Sequence, residues 1–287
     1  MPRNDNRVRQ ALAFMVSRVD ERGALGLADD TVADYPTYAT AMALPIFRRN
    51  LGRPALADRM RDRLLATQYR RKGGWPETHP AFGAWGMGVD VQPPNPGHLD
   101  LSMTRHALEA LIFERGDSVK AARTRALRFV DRLRSPSGGW FFSTVLTDKN
   151  KAGPDEPDSF RGYGTTTADA WLAYLAAGVP RDDERMQAAA AWLVKHHEVA
   201  RVPGLPEDDP WAASMRYYYR AVSARVFSEL DLKEAPVGRD WRQDVIEAFV
   251  KEQRPDGSFV SAGKLMKEDD PLIATGLVLQ ALGALRY

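Results

Sequence analysis

One short turn sequence recurs along the chain and constrains its fold more than any other feature. It reads "KGGWPE" from Lys72, "SPSGGWFF" from Ser135 and "RPDGSFVS" from Arg254. Each copy follows a stretch in which apolar residues recur every three or four positions, as on one face of an amphipathic helix. Glycine ends such a helix because it adopts the left-handed backbone conformation without steric cost. The sequence therefore predicts a series of helices that end in the same kind of turn.

Two kinds of helix alternate in this pattern. The amphipathic kind has its apolar positions at Val8, Leu12, Met15 and Val19; Leu56, Met60 and Leu64; Val119, Ala122, Ala126, Phe129 and Leu133; Met186, Ala190 and Leu193; and Trp241, Val245 and Phe249. The other kind, such as "YGTTTADAWLAYLAAG" from Tyr163, is rich in alanine, leucine and small residues on most faces, which indicates burial on both sides. The sequence predicts an all-α fold in which about five outer helices alternate with five inner helices, within a single domain over residues 1–287.

Composition narrows the classes of protein to which the chain can belong. The formal net charge of the 287 residues is only +2, so no broad basic field indicates a nucleic acid as partner. The absence of cysteine excludes disulfides, thiolate metal ligands and a cysteine nucleophile. No apolar run approaches the ~20 residues of a membrane-spanning helix, and the first residues lack the apolar core of a signal peptide. The sequence as given predicts a cytoplasmic protein without a transmembrane segment.

Two long connections indicate where a functional site would lie. About 25 residues separate Gly73 from His98, and a similar length separates Gly138 from Gly164, which is long for loops without regular structure. Long loops often carry function. If the inner helices run parallel, these loops and the N-terminal ends of the helix dipoles meet at one end. We expect a site there that takes a polar or anionic group above an apolar wall.

Polar and aromatic residues near these helix ends are the candidate ligand-binding residues. They are Asp34, Tyr35, Trp85, His98, Ser102, Tyr163, Thr166 and Tyr218. Three carboxylates are candidate catalytic acids, namely Asp100, Asp169 and Asp270. The alternative role for the acids and hydroxyls is N-capping, in which a side-chain oxygen accepts a hydrogen bond from a free helix amide. The alternative role for the loop aromatics is to pack the loops against the helices.

The recurring turns resemble the QW motifs of the squalene–hopene cyclase and protein prenyltransferase β-subunit superfamily. The best copies are Gln68 with Gly74–Trp75, and Gln253 with Asp256, Gly257 and Phe259. From about Tyr35 onward, phrases such as "DLSMTRHALEAL" and "DDPLIATGLVLQAL" are similar to bacterial single-domain prenyltransferase and squalene oxidase repeat proteins. The resemblance implies an α/α toroid in which each turn is a clasp: the aromatic residue stacks, and the glutamine bonds free backbone groups. It predicts that Trp75 and Trp140 are buried.

The resemblance leaves the reaction open. Class II cyclases of the superfamily protonate an alkene with an aspartic acid from a D-x-D-D motif, which this sequence lacks. The acid pairs that it does contain, Asp182–Asp183 and Asp269–Asp270 among them, fit helix capping better. The prenyltransferase zinc site requires a cysteine, and His98 with Asp100 lacks a third ligand. The acidic stretch "DDTVAD" from Asp29 resembles one metal motif of class I terpene synthases without its second motif. The sequence predicts neither a metal nor a cofactor.

Three functions remain open on the sequence. The first is a terpene cyclase-like toroid that binds an isoprenoid-like or other hydrophobic small molecule in a central cavity. The second is a non-catalytic ligand-binding or protein-interaction scaffold, which the missing acid motif favours. The third is a carbohydrate-processing α/α toroid, since loop tryptophans stack on sugars and two carboxylates ~5–10 Å apart hydrolyse glycosidic bonds.

Overall fold

The computed structural model describes residues 5–26, 34–50, 53–88, 91–157 and 159–285. These residues form the helices α1 Asn6–Ser17, α2 Pro36–Asn50, α3 Pro54–Thr67, α4 Leu101–Ala110, α5 Asp117–Arg132, α6 Gly164–Ala177, α7 Glu184–His196, α8 Pro210–Ser214, α9 Arg216–Glu229, α10 Trp241–Glu252 and α11 Pro271–Ala284. Two short 3-10 turns, Arg71–Gly73 and Thr147–Lys149, lie in the long loops, and the described residues contain no β-strand. The predicted all-α fold is confirmed.

The predicted alternation of helices is present along the chain. The amphipathic stretches form α1, α3, α5, α7 and α10, and the apolar segments form α2, α4, α6, α9 and α11. Helix α8 was not predicted, because its five residues are too few to show a periodicity.

Aspartate caps begin many of these helices. The carboxylates of Asp5, Asp100, Asp183, Asp209, Asp240 and Asp270 accept hydrogen bonds from first-turn amides of α1, α4, α7, α8, α10 and α11, respectively. Each carboxylate satisfies an amide that has no partner within its helix. The capping role predicted for Asp182–Asp183 is confirmed and belongs to Asp183.

Contacts along the chain define two compact units. The first comprises Met1–Arg132, Ser143–Thr147 and Ala176–Gly178, and the second comprises Leu133–Phe142, Asp148–Leu175 and Val179–Tyr287. The sequence predicts one domain over residues 1–287, and the two units divide that range.

In the first unit the inner helices α2 and α4 run parallel. Near their N-terminal ends the hydroxyl oxygens of Tyr38 and Ser102 are 2.7 Å apart. Near their C-terminal ends the Arg48 guanidinium donates to the Glu114 carboxylate at 2.9 and 2.8 Å. Because the two helices are in contact at both of these ends, they run in the same direction, as predicted. The outer helix α3 packs against α2, and their shared core contains Leu44, Phe47, Leu56, Met60 and Leu64.

In the second unit α9 is packed between an inner and an outer neighbour. It packs along α11 with the N-terminal ends side by side, because Glu268, just before α11, accepts the amides of Tyr217 and Tyr218. The outer helix α10 runs antiparallel to α9: Trp241 at its start donates to the Leu232 carbonyl after α9. At the other end of α10, Glu252 binds Arg220 within α9 with oxygen–nitrogen distances of 2.7 and 2.9 Å.

The turn after α3 contains the predicted glutamine clasp. Gln68 is buried, and its side-chain amide donates to the carbonyls of Gly83 and Ala122 at 3.0 and 2.9 Å. Ala122 lies in α5, 54 residues further along the chain. The Gln68 carbonyl oxygen in turn accepts from Arg125 Nε at 2.9 Å. One side chain thereby joins the end of the outer helix α3 to the body of the next outer helix, α5.

The aromatic residues of the clasps are buried, as predicted. Trp75 is 3 % exposed, and its ring meets Tyr69 edge-on at a centroid distance of 5.0 Å. Trp140 is fully buried and packs beneath the Arg134 guanidinium, 5.8 Å from the ring centroid. The preceding Gly139 has φ of 75° and an added Cβ would lie 2.9 Å from Thr167 Oγ1, so a side chain there would be strained and crowded.

None of the described helices is both long enough and apolar enough to cross a lipid bilayer.

Candidate functional site

The N-terminal end of α4 brings together three predicted site residues. Asp100 is buried, and its two carboxylate oxygens lie 2.8 Å from the Met103 amide and 3.1 Å from Nε2 of His98. Because a carboxylate only accepts, Nε2 of His98 carries the hydrogen and the ring is held in one orientation. Ser102 lies in the first turn of α4, beside Tyr38. The side chain of His98 remains 33 % exposed, so this group can be reached by a ligand.

The other predicted residues of the first unit lie around the start of α2 and in the long loop. The Asp34 carboxylate accepts the Tyr35 amide at 2.8 Å. Trp85 is fully buried, and its Nε1 donates to the Leu64 carbonyl at 2.7 Å. Its backbone amide donates to Thr104 Oγ1 at 3.2 Å. Trp85 therefore fastens the loop between the clasp and α4.

Helix α4 carries a row of polar side chains that the sequence analysis missed. Ser102, Arg105, His106 and Glu109 stand at positions i, i+3, i+4 and i+7 and therefore lie on one face of the helix. Arg105 is buried and donates Nη1 to Glu109 at 2.7 Å and Nη2 to His106 Nε2 at 2.8 Å. The signal was in the sequence, because polar residues at this spacing in an otherwise apolar helix mark a separate face.

The Arg105 contact determines which nitrogen of His106 carries hydrogen. A guanidinium only donates, so His106 Nε2 accepts and the hydrogen is on Nδ1. Nδ1 lies 3.9 Å from the Glu109 carboxylate, and the ring packs against Tyr38 at a centroid distance of 4.6 Å. The face of α4 thus offers hydrogen-bond donors and acceptors whose orientation is fixed by a buried charge.

Helix α2 presents an apolar stripe that begins beside the polar side chains at the N-terminal end of α4. Tyr38, Met42 and Ile46 recur every four residues and share one face of the helix, and Tyr35 directly precedes its first residue. The side chains of Tyr35, Met42 and Ile46 are 43 %, 50 % and 39 % exposed. The expectation that every inner helix is buried on both sides is therefore wrong for α2, and it is also wrong for α11, where Leu272 and Leu279 are exposed. The reason is that the apolar pattern of a helix does not say which of its faces is covered.

In the second unit Asp169 and Tyr218 form a hydrogen-bonded pair. The Tyr218 hydroxyl lies 2.9 and 3.0 Å from the two carboxylate oxygens of Asp169, which is 1 % exposed on α6. Thr166 Oγ1 lies 2.5 and 2.9 Å from the carbonyl oxygens of Trp140 and Tyr163. Thr166 and the buried Tyr163 therefore hold the long loop of this unit against α6.

Glu268 is a buried carboxylate that the sequence analysis passed over. It accepts the amides of Tyr217 and Tyr218 at 3.1 and 2.8 Å, at the start of a helix where Met215 supplies no side-chain cap. Burial raises the pKa of Glu268 to about 7, against the opposing effect of these two amides. The neighbouring Asp270, predicted as a candidate catalytic acid with capping as its alternative role, is an exposed cap of α11. Nothing in the local sequence distinguishes Glu268 from them.

The other hydroxyls of the tyrosine run are also bonded. The Tyr217 hydroxyl donates to the Val260 carbonyl at 3.3 Å, and that of Tyr219 lies 3.0 Å from His197 Nδ1. His197 is the C-cap residue that follows α7, and burial lowers its pKa to about 4. These contacts belong to the core of the second unit.

Within the described residues no three His, Asp or Glu side chains are grouped so as to hold a metal ion. Most of the acidic stretch from Asp29, including Asp29 and Asp30, lies outside those residues.

Comparison with known proteins supplies no identity for the chain. No protein-family model matches it, and a search of curated proteins finds no significant match.

Proposed function

We propose that the protein is a terpenoid cyclase-like α/α toroid that binds an isoprenoid-like or other hydrophobic ligand with a polar end. The alternation of outer and inner helices, the parallel course of α2 and α4 and the Gln68 clasp support the toroid. One observation supports the ligand-binding part of the proposal. The exposed apolar stripe of α2 leads to the hydrogen-bonding group at the N-terminal ends of two parallel helices.

The apolar part of the ligand lies along α2. Met42 and Ile46 are exposed apolar side chains on a helix whose other face forms the core of the unit. Removing apolar surface from water contributes roughly 25 cal/mol per Å². An isoprenoid chain that buries ~200 Å² in all would therefore gain about 5 kcal/mol before the cost of association.

The polar part of the ligand lies at the shared N-terminal end of α2 and α4. Tyr38, His98 and Ser102 provide hydroxyl and imidazole groups there, and Asp100 orients His98. The dipoles of the two parallel helices add at that end and favour a group with negative charge. A hydroxyl, carboxylate or phosphate end of the ligand fits this position.

The proposal concerns binding. Protonation of an alkene requires a protonated carboxyl group in contact with the ligand. Asp100 is already bonded to the Met103 amide and to His98, which leaves it suited to orienting rather than donating.

A binding assay with a matched pair of variants tests the proposal. Intrinsic tryptophan fluorescence is followed while the protein is titrated with farnesol, squalene and a cello-oligosaccharide. In Met42→Glu a charge enters the α2 stripe, so affinity for the isoprenoids should fall at least about tenfold. Phe14→Glu is the control, because Phe14 is 57 % exposed on the outer helix α1.

Both variants replace an exposed side chain and should keep the wild-type melting temperature. Equal isoprenoid affinity in the two variants would contradict the α2 site. Binding of the oligosaccharide alone would favour carbohydrate processing instead.

A further inference from the structure

A second candidate site lies in the first unit, on the outer helices and apart from the α2 stripe. A groove of about 540 Å³ separates the turn at Arg70–Lys72 from the outward face of α5. Phe82 and Ala121 line its apolar part. We name it the basic groove, because six cationic side chains and two carboxylates line it: Arg70, Arg71, Lys72, Lys120, Arg125 and Arg128, with Glu77 and Asp117.

The positive charge of the basic groove is only partly neutralised within the protein. Glu77 binds Arg128 at 2.5 Å and Arg71 at 3.2 Å. Over the described part of the chain, the side chains of Arg70, Lys72 and Lys120 form no ion pair. An excess of cations in a concave surface raises the local concentration of anions.

Arg125 is held in place for such a contact. Its Nε donates to the Gln68 carbonyl oxygen at 2.9 Å, and Gln68 is itself fixed to the backbone at Gly83 and Ala122. Its two terminal nitrogens donate no hydrogen bond to the part of the protein that the structure describes. A guanidinium fixed at Nε can present both terminal nitrogens to one anion, and this geometry matches phosphate.

The electrostatic environment of Arg125 also favours a bound anion. Burial lowers the pKa of Arg125, and the positive charge of Arg70 lowers it further. Two guanidinium groups thus repel each other across this part of the groove. A bound anion would remove the repulsion and stabilise both charges.

The occupant that fits is a small, multiply charged phosphate compound. The groove contains two carboxylates beside its six cationic side chains, and the net charge of the chain is only +2. Extended nucleic acid depends on many separate phosphate contacts, which this charge distribution does not offer. The groove volume exceeds that of a bare diphosphate, which leaves room for an organic part against Phe82 and Ala121.

We propose that the basic groove binds the di- or triphosphate group of a phosphorylated compound, with Arg70, Lys120 and Arg125 as its main contacts. The groove is formed by the turn after α3 and by α5, whereas the α2 stripe lies on an inner helix. The two proposals can therefore fail independently.

Isothermal titration calorimetry with inorganic pyrophosphate tests the proposal. The wild-type protein should bind pyrophosphate with a Kd below about 1 mM. The double variant Arg70→Gln/Lys120→Gln should bind at least about tenfold more weakly, because it loses two charge-assisted contacts. The control is Arg59→Gln/Lys195→Gln, which removes the same charge from exposed positions on the outer helices α3 and α7.

Measuring the melting temperatures checks that both double variants are folded. The α2 variant Met42→Glu should bind pyrophosphate as the wild type does. Vesicles of phosphatidylcholine with and without phosphatidylglycerol distinguish the source of the phosphate. If Arg70→Gln/Lys120→Gln loses pyrophosphate binding and the control double variant does not, the phosphate belongs to a free compound. If Arg70→Gln/Lys120→Gln loses vesicle binding but not pyrophosphate binding, the phosphate belongs to a lipid headgroup. Equal losses in the two double variants would overturn the site, and so would binding of single-stranded RNA without binding of pyrophosphate or vesicles.

Discussion

The hydroxyl group of Tyr218 lies within hydrogen-bond distance of both carboxylate oxygens of Asp169, at 2.9 and 3.0 Å. Asp169 was predicted as a catalytic acid and Tyr218 as a ligand-binding residue, and the structure places them in contact with each other. A buried carboxylate that loses a hydrogen bond keeps its full desolvation cost. The pair therefore has a structural role whether or not a ligand also contacts it.

The Asp169–Tyr218 pair predicts a loss of stability on Tyr218→Phe. The free energy of unfolding should fall by ~1–3 kcal/mol, since the carboxylate stays buried with one hydrogen bond fewer. Tyr35→Phe is the control, because Tyr35 is 43 % exposed and its hydroxyl should contribute little. Urea unfolding measures both. A stable Tyr218→Phe variant that no longer binds isoprenoids would instead assign the pair to a ligand site.

The two best copies of the clasp motif predict unequal effects of the same substitution. Gln68→Ala removes two hydrogen bonds to backbone carbonyls and the acceptor of Arg125, so it should cost ~2–4 kcal/mol. Gln253→Ala should cost less than ~0.5 kcal/mol, because Gln253 makes an exposed 3.2 Å bond to Gly257 within its own turn. Chemical denaturation of the two variants checks the difference. Equal costs would mean that the sequence motif, rather than the partner it reaches, determines the contribution.

The raised pKa of Glu268 predicts that the protein loses stability as pH rises. Its pKa is about 7 in the folded protein, against an ordinary value of 4.5 for a glutamate, so folding favours the protonated form. This contribution is fully present below pH 4.5 and is lost as pH rises through 7, by up to about 3 kcal/mol. Glu268→Gln stays neutral, so its unfolding free energy should vary less than that of the wild type between about pH 5 and 8.

The control for Glu268 is Glu21→Gln, an exposed position in the turn after α1. It should keep the pH dependence of the wild type. If Glu268→Gln and wild type show parallel pH profiles, Glu268 is ionised throughout and its burial is offset by the two amides of α9.

His197 predicts a second effect of pH, of opposite sign. Burial lowers its pKa to about 4 from 6.5, with a nearby Asp244 acting against the shift. Its contribution to stability is present above pH 6.5 and is lost as pH falls through 4. In a proton NMR titration the His197 ring signals, assigned by comparison with His197→Gln, should move only near pH 4. A midpoint near 6.5 would show that water reaches the ring.

The sequence by itself determined the local structure of this protein. The helical periods, the aspartate caps and the glycine turns depend on residues within a few positions of one another. For this reason ten helices and the cap at Asp183 were predicted correctly. The burial of Trp75 and Trp140 was predicted from the family resemblance and not from these local patterns. The arginine, histidine and glutamate row of α4 was also readable from its spacing, although it was missed.

Tertiary structure alone decided which groups meet and which faces are covered. The partner of Gln68 lies 54 residues away, and the tyrosine that joins Asp169 lies 49 residues away. Glu268 stands in a run of acids and differs from Asp270 only because its side chain is buried beneath the start of α9. The stripe on α2 is exposed although its sequence is as apolar as that of a buried helix. Burial and pairing arise from contacts between distant segments, and no periodicity along the chain encodes them.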